Sequence, residues 1–126
     1  MALLEGLSQS LAAQGLRLSV SLTLADARDA CAAKAPLIIV ADRHLASSAG
    51  IELLALPIVG GGARILYRGA SVPTAPLFPA LQRAVLADLT LPLERQRLVA
   101  LCQSVCDRAR TTGRAPRDTP PDMRAI

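Results

Sequence analysis

Apolar and polar positions change period several times along this chain, and each change marks an element. Leu3, Leu4, Leu7 and Leu11 recur at near-helical spacing up to Gln14-Gly15, where glycine suits a left-handed C-terminal cap, so a first helix is expected. Leu16, Leu18, Val20 and Leu22 then alternate with Arg17, Ser19 and Ser21, the two-residue period of a strand with one polar face. Thr23 and Asp26 have the spacing of a capping box ahead of an alanine-rich helix that reaches about Lys34. Pro36 breaks that helix and opens the run Leu37-Ile38-Ile39-Val40-Ala41, which stops abruptly on Asp42. An unbroken apolar run rich in Ile and Val suits a strand buried on both faces, as in a parallel sheet covered by helices.

Ala46 to Gly50 reads as a small-residue loop, and Gly50-Ile51-Glu52-Leu53-Leu54 begins a short helix that Pro57 limits. Gly60-Gly61-Gly62 reads as a turn; it lacks the Lys and Ser/Thr of a P-loop and precedes a strand instead of a helix. That strand is Arg64 to Arg68, followed by a loop carrying Pro73 and Pro76, a short helix from Pro79 to Ala87, and a brief strand from Asp88 to Leu91 that Pro92 ends. Leu98, Leu101, Cys102, Val105 and Cys106 form the clearest amphipathic stripe in the chain. From Thr111 onward Arg, Pro, Thr and Asp mix with no apolar period. The expected organisation is one domain over residues 1–110 and a disordered tail over 111–126. Helices and strands alternating in this order predict an α/β doubly wound parallel sheet between two helical layers. Asp42 then stands at the C-terminal mouth of a strand, the edge where ligands gather in such sheets.

Around that edge the residues resemble a known family. Pro36 to Asp42 resembles the third strand of the receiver (CheY-like) domain of bacterial two-component response regulators, with Asp42 in the place of the phosphoacceptor. Gly50 to Leu54 falls where receivers begin a helix with Gly and an apolar-acidic-apolar-apolar run, Pro92 matches the proline after the last strand, and Leu98 to Cys106 matches the closing helix. The resemblance spans roughly residues 3–110 and implies a flavodoxin-like, three-layer α/β/α fold. A working receiver holds Mg²⁺ through an acidic pair after its first strand plus the phosphoacceptor, and grips the phosphoryl oxygens with a Thr or Ser and a Lys. Here Met1 falls about where the first helix should start, so the first strand and its acidic pair are missing or supplied otherwise. The position of the Thr or Ser is Arg68, that of the Lys is Leu91, and that of the switch aromatic is Asp88. One carboxylate on a loop rarely holds Mg²⁺, and without metal and lysine nothing neutralises the charge on a transferring phosphoryl group.

The resemblance therefore implies a pseudo-receiver: a signalling module, not an enzyme, that works by protein–protein contact with a histidine kinase or an output domain and needs no cofactor. Arg68 is expected to pair with Asp42 in place of the reactive site. Two other readings stand beside it. In one, Asp42 is phosphorylated within a phosphorelay, with Mg²⁺ as cofactor; in the other, the strand-end crevice serves a small-molecule-binding or enzymatic α/β domain through Asp42, His44 and Arg68. A missing first strand would leave a gap between the second and third strands of the family. That gap closes if translation starts upstream of Met1, if the flanking strands draw together, or if a partner chain donates a strand; a homodimer through the open sheet or the last helix follows from the last.

Composition narrows the partners. Hydrophobic residues make up 52% of the chain but aromatics only 2%, Tyr67 and Phe78, which argues against base stacking. The net charge is +4, yet Arg108, Arg110, Arg114, Arg117 and Arg124 all lie near the C-terminal end, so the body carries no nucleic-acid footprint. Cys31, Cys102 and Cys106 cannot all pair, and no secretory or membrane-spanning run is present, so a reducing, cytoplasmic setting without membrane contact is expected. Cys102 and Cys106 share the apolar stripe and read as core residues, and the lone His44 reads as an exposed loop histidine.

Overall fold

The computed structural model describes residues 7–13, 15–69, 76–91, 93–111 and 121–126. Along them run α1 (Leu7–Ala13), β1 (Arg17–Val20), α2 (Leu24–Ala33), β2 (Ile38–Asp42), α3 (Arg43–Ser48), α4 (Gly50–Ala55), β3 (Ala63–Gly69), α5 (Pro79–Ala84), β4 (Val85–Leu91), α6 (Arg95–Thr111) and β5 (Asp122–Ala125). The strands form one all-parallel sheet in the order β1-β5-β2-β3-β4.

The two-residue period of each strand decides which helices it meets. Ile38, Val40, Ile65, Tyr67, Leu89, Leu91, Met123 and Ala125 face one layer, where Leu11 of α1 and Leu98, Cys102, Val105, Cys106 and Ala109 of α6 close over them. Ile39, Ala41 and Leu66 face the other layer, against Ala27 and Cys31 of α2, Ala46 of α3, Leu53 of α4 and Leu81 of α5. Helices on both faces of a parallel sheet make the flavodoxin-like, three-layer fold, and β2, in the middle, is buried on both sides as its unbroken apolar run requires. Gly15 takes a positive φ of 80° after α1, and Gly61 one of 83° in the turn before β3. Beside it, Gly62 is held by close approach, since a Cβ there would collide with the Leu37 carbonyl oxygen.

Three features differ from expectation. The loop expected over 46–50 is largely helix, α3, which starts directly after Asp42, the last residue of β2. β4 starts at Val85, three residues before Asp88, so α5 is shorter than the helix expected over 79–87. The third difference is larger. Residues 121–126 are not a disordered tail: they enter the sheet between β1 and β2, while residues 112–120 of that expected tail lie outside the described residues. Arg17 N donates to Pro121 O (3.0 Å), Leu37 N to Asp122 O (2.9 Å), Ser21 N to Ala125 O (2.9 Å), Ile126 N to Val40 O (2.9 Å) and Asp42 N to Ile126 O (3.2 Å).

The missing strand is thus supplied from the chain's own C-terminal side, and neither collapse of the flanking strands nor an open sheet awaiting a partner is found. Taking β5 as the first strand and renumbering turns β1-β5-β2-β3-β4 into 2-1-3-4-5, the strand order of the flavodoxin-like group. Topologically it is a circular permutation of that order. The physical reason it escaped notice in the sequence is brevity: Met123 and Ala125 alternate with Asp122 and Arg124 over only four residues, set behind an Arg- and Pro-rich stretch.

Candidate functional site

In this strand order the direction of winding reverses around β5 and β2, and the crevice above their C-terminal ends is where such sheets place ligands. Here the crevice encloses about 390 Å³. Asp42, His44, Ser48 and Tyr67 give it polar edges, and Leu22, Leu24, Leu45 and Ile126 give it apolar walls. Asp42 is therefore where the sequence places it, at the mouth of β2, and it has a definite task. Its Oδ1 accepts from His44 N at 2.8 Å, capping α3; caps of this kind contribute about 1 kcal/mol. Among the described residues no cation pairs with this carboxylate. His44 is exposed as expected, but it lies on the first turn of α3 and not in a loop.

Tyr67, which the sequence reading left inside its strand, is the neighbour that matters. It lies level with Asp42 in the β2–β3 register, and its hydroxyl donates to Ile126 O at 3.3 Å. Burial first, and the Asp42 charge second, push its phenol up to about 12. The parity signal was present in the sequence, since Ile65 and Tyr67 share a face, but nothing in the sequence placed Ile126 there.

The other site candidates are not brought together with Asp42. Arg68 lies one residue beyond Tyr67 and so projects from the opposite face of the sheet, the face of Leu66. The expected Arg68–Asp42 ion pair is absent for that reason, and Arg68 Nε is buried without a hydrogen-bond partner among the described residues. Leu91 is fully packed in the core on the α1/α6 side. Asp88 stands on the Arg68 face, where its Oδ2 accepts from Arg43 Nε at 3.0 Å.

Arg43 is the residue the sequence reading missed altogether. Its side chain is only 9% exposed, and its Nη1 also donates to Ser47 Oγ at 2.9 Å. No periodicity distinguishes it: it follows Asp42 directly, and the strand's alternation sends the two side chains to opposite faces. The result is two separate half-sites, a carboxylate with a tyrosine on one face and an arginine–aspartate pair on the other. Among the described residues no group of three or more His, Cys, Asp or Glu side chains could hold a metal ion, so Asp42 has no carboxylate companions there for Mg²⁺. No helix among them is long and apolar enough to cross a membrane. No family model matches this chain, and neither a curated protein nor a solved structure matches it significantly.

Proposed function

We propose that this protein is a receiver-like signalling module that has given up phosphotransfer and acts by protein–protein contact. The observation that carries this reading is the isolation of Asp42. It sits at the switch-point crevice of a flavodoxin-like sheet, where a phosphoacceptor would sit, yet its carboxylate caps α3 while Leu91 fills the core and Arg68 leaves by the far face. Among the described residues, a phosphoryl group arriving on Asp42 would meet no metal cluster, and the one lysine of the chain, Lys34, pairs with Asp122 at the other end of the sheet. The partners this reading implies are a histidine kinase or an output domain. The surface offered to them is the β4 edge with its flanking α5 and α6, where Leu86 is 49% and Leu93 79% exposed.

The test is incubation with acetyl phosphate in the presence of Mg²⁺. No phosphoryl mass increment on the intact protein is expected. An increment that appears in the wild type and vanishes in Asp42→Asn would overturn the reading in favour of a phosphorelay receiver using Mg²⁺. One observation favours a second reading, a small-molecule site: the crevice of about 390 Å³ beside Asp42, His44 and Tyr67 falls within the range of ligand pockets. Arg68 takes no part in it.

A further inference from the structure

The slot that β5 fills is built to recognise a sequence. Its two walls, β1 and β2, do not pair with each other; each pairs with β5. At the entrance, Asp122 accepts from Arg17 Nε at 3.0 Å and lies 2.9 Å from Lys34 Nζ, so two cations read one carboxylate. Met123 and Ala125 are fully buried, with Cys102 Sγ 3.7 Å from Met123 Sδ. Arg124, on the other face, donates to Ser21 Oγ at 3.2 Å. At the far end Tyr67 and the Asp42 amide both donate to Ile126 O. The ligand this slot fits is an extended segment in parallel register reading acidic, apolar, basic, small, apolar. A shift by one residue would turn Asp122 and Arg124 into the core beside α6 and take Met123 and Ala125 out of it.

We propose that the β1–β2 slot is a strand-acceptor site specific for the sequence Asp122–Ile126, and that it takes this segment from a second copy of the chain as well as from its own. Every contact above joins the segment to β1, β2 or the residues around them, Lys34, Tyr67 and Cys102, so an identical chain offers an identical ligand. This goes beyond the reading of Asp42 and does not depend on it.

Concentration decides which copy fills the slot. A segment carried on the same chain competes at an effective concentration on the order of 1 mM, so wild-type chains close on themselves at micromolar concentration. Reversing charge at the entrance changes that balance. In Asp122→Lys the segment mismatches its own slot, and in the double variant Arg17→Glu, Lys34→Glu the slot mismatches its own segment. Mixed, each segment fits the other chain's slot. If each mismatch weakens closure tenfold, reciprocal exchange gains a hundredfold, and the mixed dimer forms with a Kd of about 10 µM.

The experiment is sedimentation and thermal unfolding of the two full-length variants, alone and mixed at roughly ten times that concentration. A dimer found only in the mixture, with a melting temperature above either variant alone, is the expected result. If a variant is unfolded alone, recovery of folded circular dichroism on mixing is the same result. A mixture that behaves as the sum of its parts overturns the proposal. So does a labelled peptide of residues 118–126 that binds the Asp122→Lys protein no better than the same peptide carrying lysine at 122. The acetyl phosphate result is independent of all these outcomes.

Discussion

The crevice couples two side chains that the sequence presents as unrelated, Asp42 and Tyr67. Tyr67 is the only tyrosine in the chain, so its ionisation can be followed by absorbance without overlap from another phenol. The expected midpoint is about 12 in the folded protein, against an ordinary value of 10.0. Asp42→Asn should lower it, because the carboxylate charge is part of what raises it. A group whose folded pKa is raised contributes stability fully below its unfolded pKa and loses it as pH rises through the folded value. The Tyr67 contribution should therefore hold up to about pH 10 and fade towards 12, and the difference between wild type and Tyr67→Phe in urea isolates it. A midpoint near 10.0 in the folded protein would mean that the phenol is not buried against Ile126.

Among the elements, β5 repays the closest attention because a single carboxylate sets its entrance. Burial would push Asp122 up, but the bonds and charges of Lys34 and then Arg17 hold it below its ordinary 3.8. A depressed carboxylate stabilises the fold above its unfolded pKa and loses that contribution as pH falls through the folded one. The protein should thus lose stability below about pH 4, and Asp122→Asn should flatten that acid limb in denaturant titrations at a series of pH values. Elements with a long period are legible in sequence: the stripe from Leu98 to Cys106 and the doubly buried β2 are both found, and of the capping box expected at Thr23 and Asp26 the Thr23 half is formed, its Oγ1 accepting from Asp26 N at 3.1 Å. What the sequence could not display was pairing. Facing of Arg68 away from Asp42 depends on strand parity relative to a register, and the Arg43–Asp88 contact joins residues 45 apart. β5 hid because four residues carry too short an alternation to stand out from a polar stretch.

For the molecule as a whole, burial concentrates in the centre of the sheet, not at its edges. Met123→Ala, in a fully buried position between α6 and the sheet, should cost about 2–5 kcal/mol. Leu86→Ala on the half-exposed outer strand should cost below about 1 kcal/mol. Urea titration of both decides between this picture and one in which residues 121–126 merely rest on a finished fold; equal costs would support the latter.

The central place of β5 also has a bearing on how the protein is made. In the common strand order the middle strand emerges first from the ribosome and its neighbours assemble against it. Here every neighbour emerges first, and the entrance contact joins Arg17 to Asp122 across 105 positions. A chain still in synthesis can form the β2–β3–β4 half and its helices, but β1 and α1 have no strand to join until residues 121–126 are out. Closure is thus a late step with a large entropic barrier, during which two strand edges stay exposed. Chaperone contact or pairing between nascent chains on one message would act in that interval.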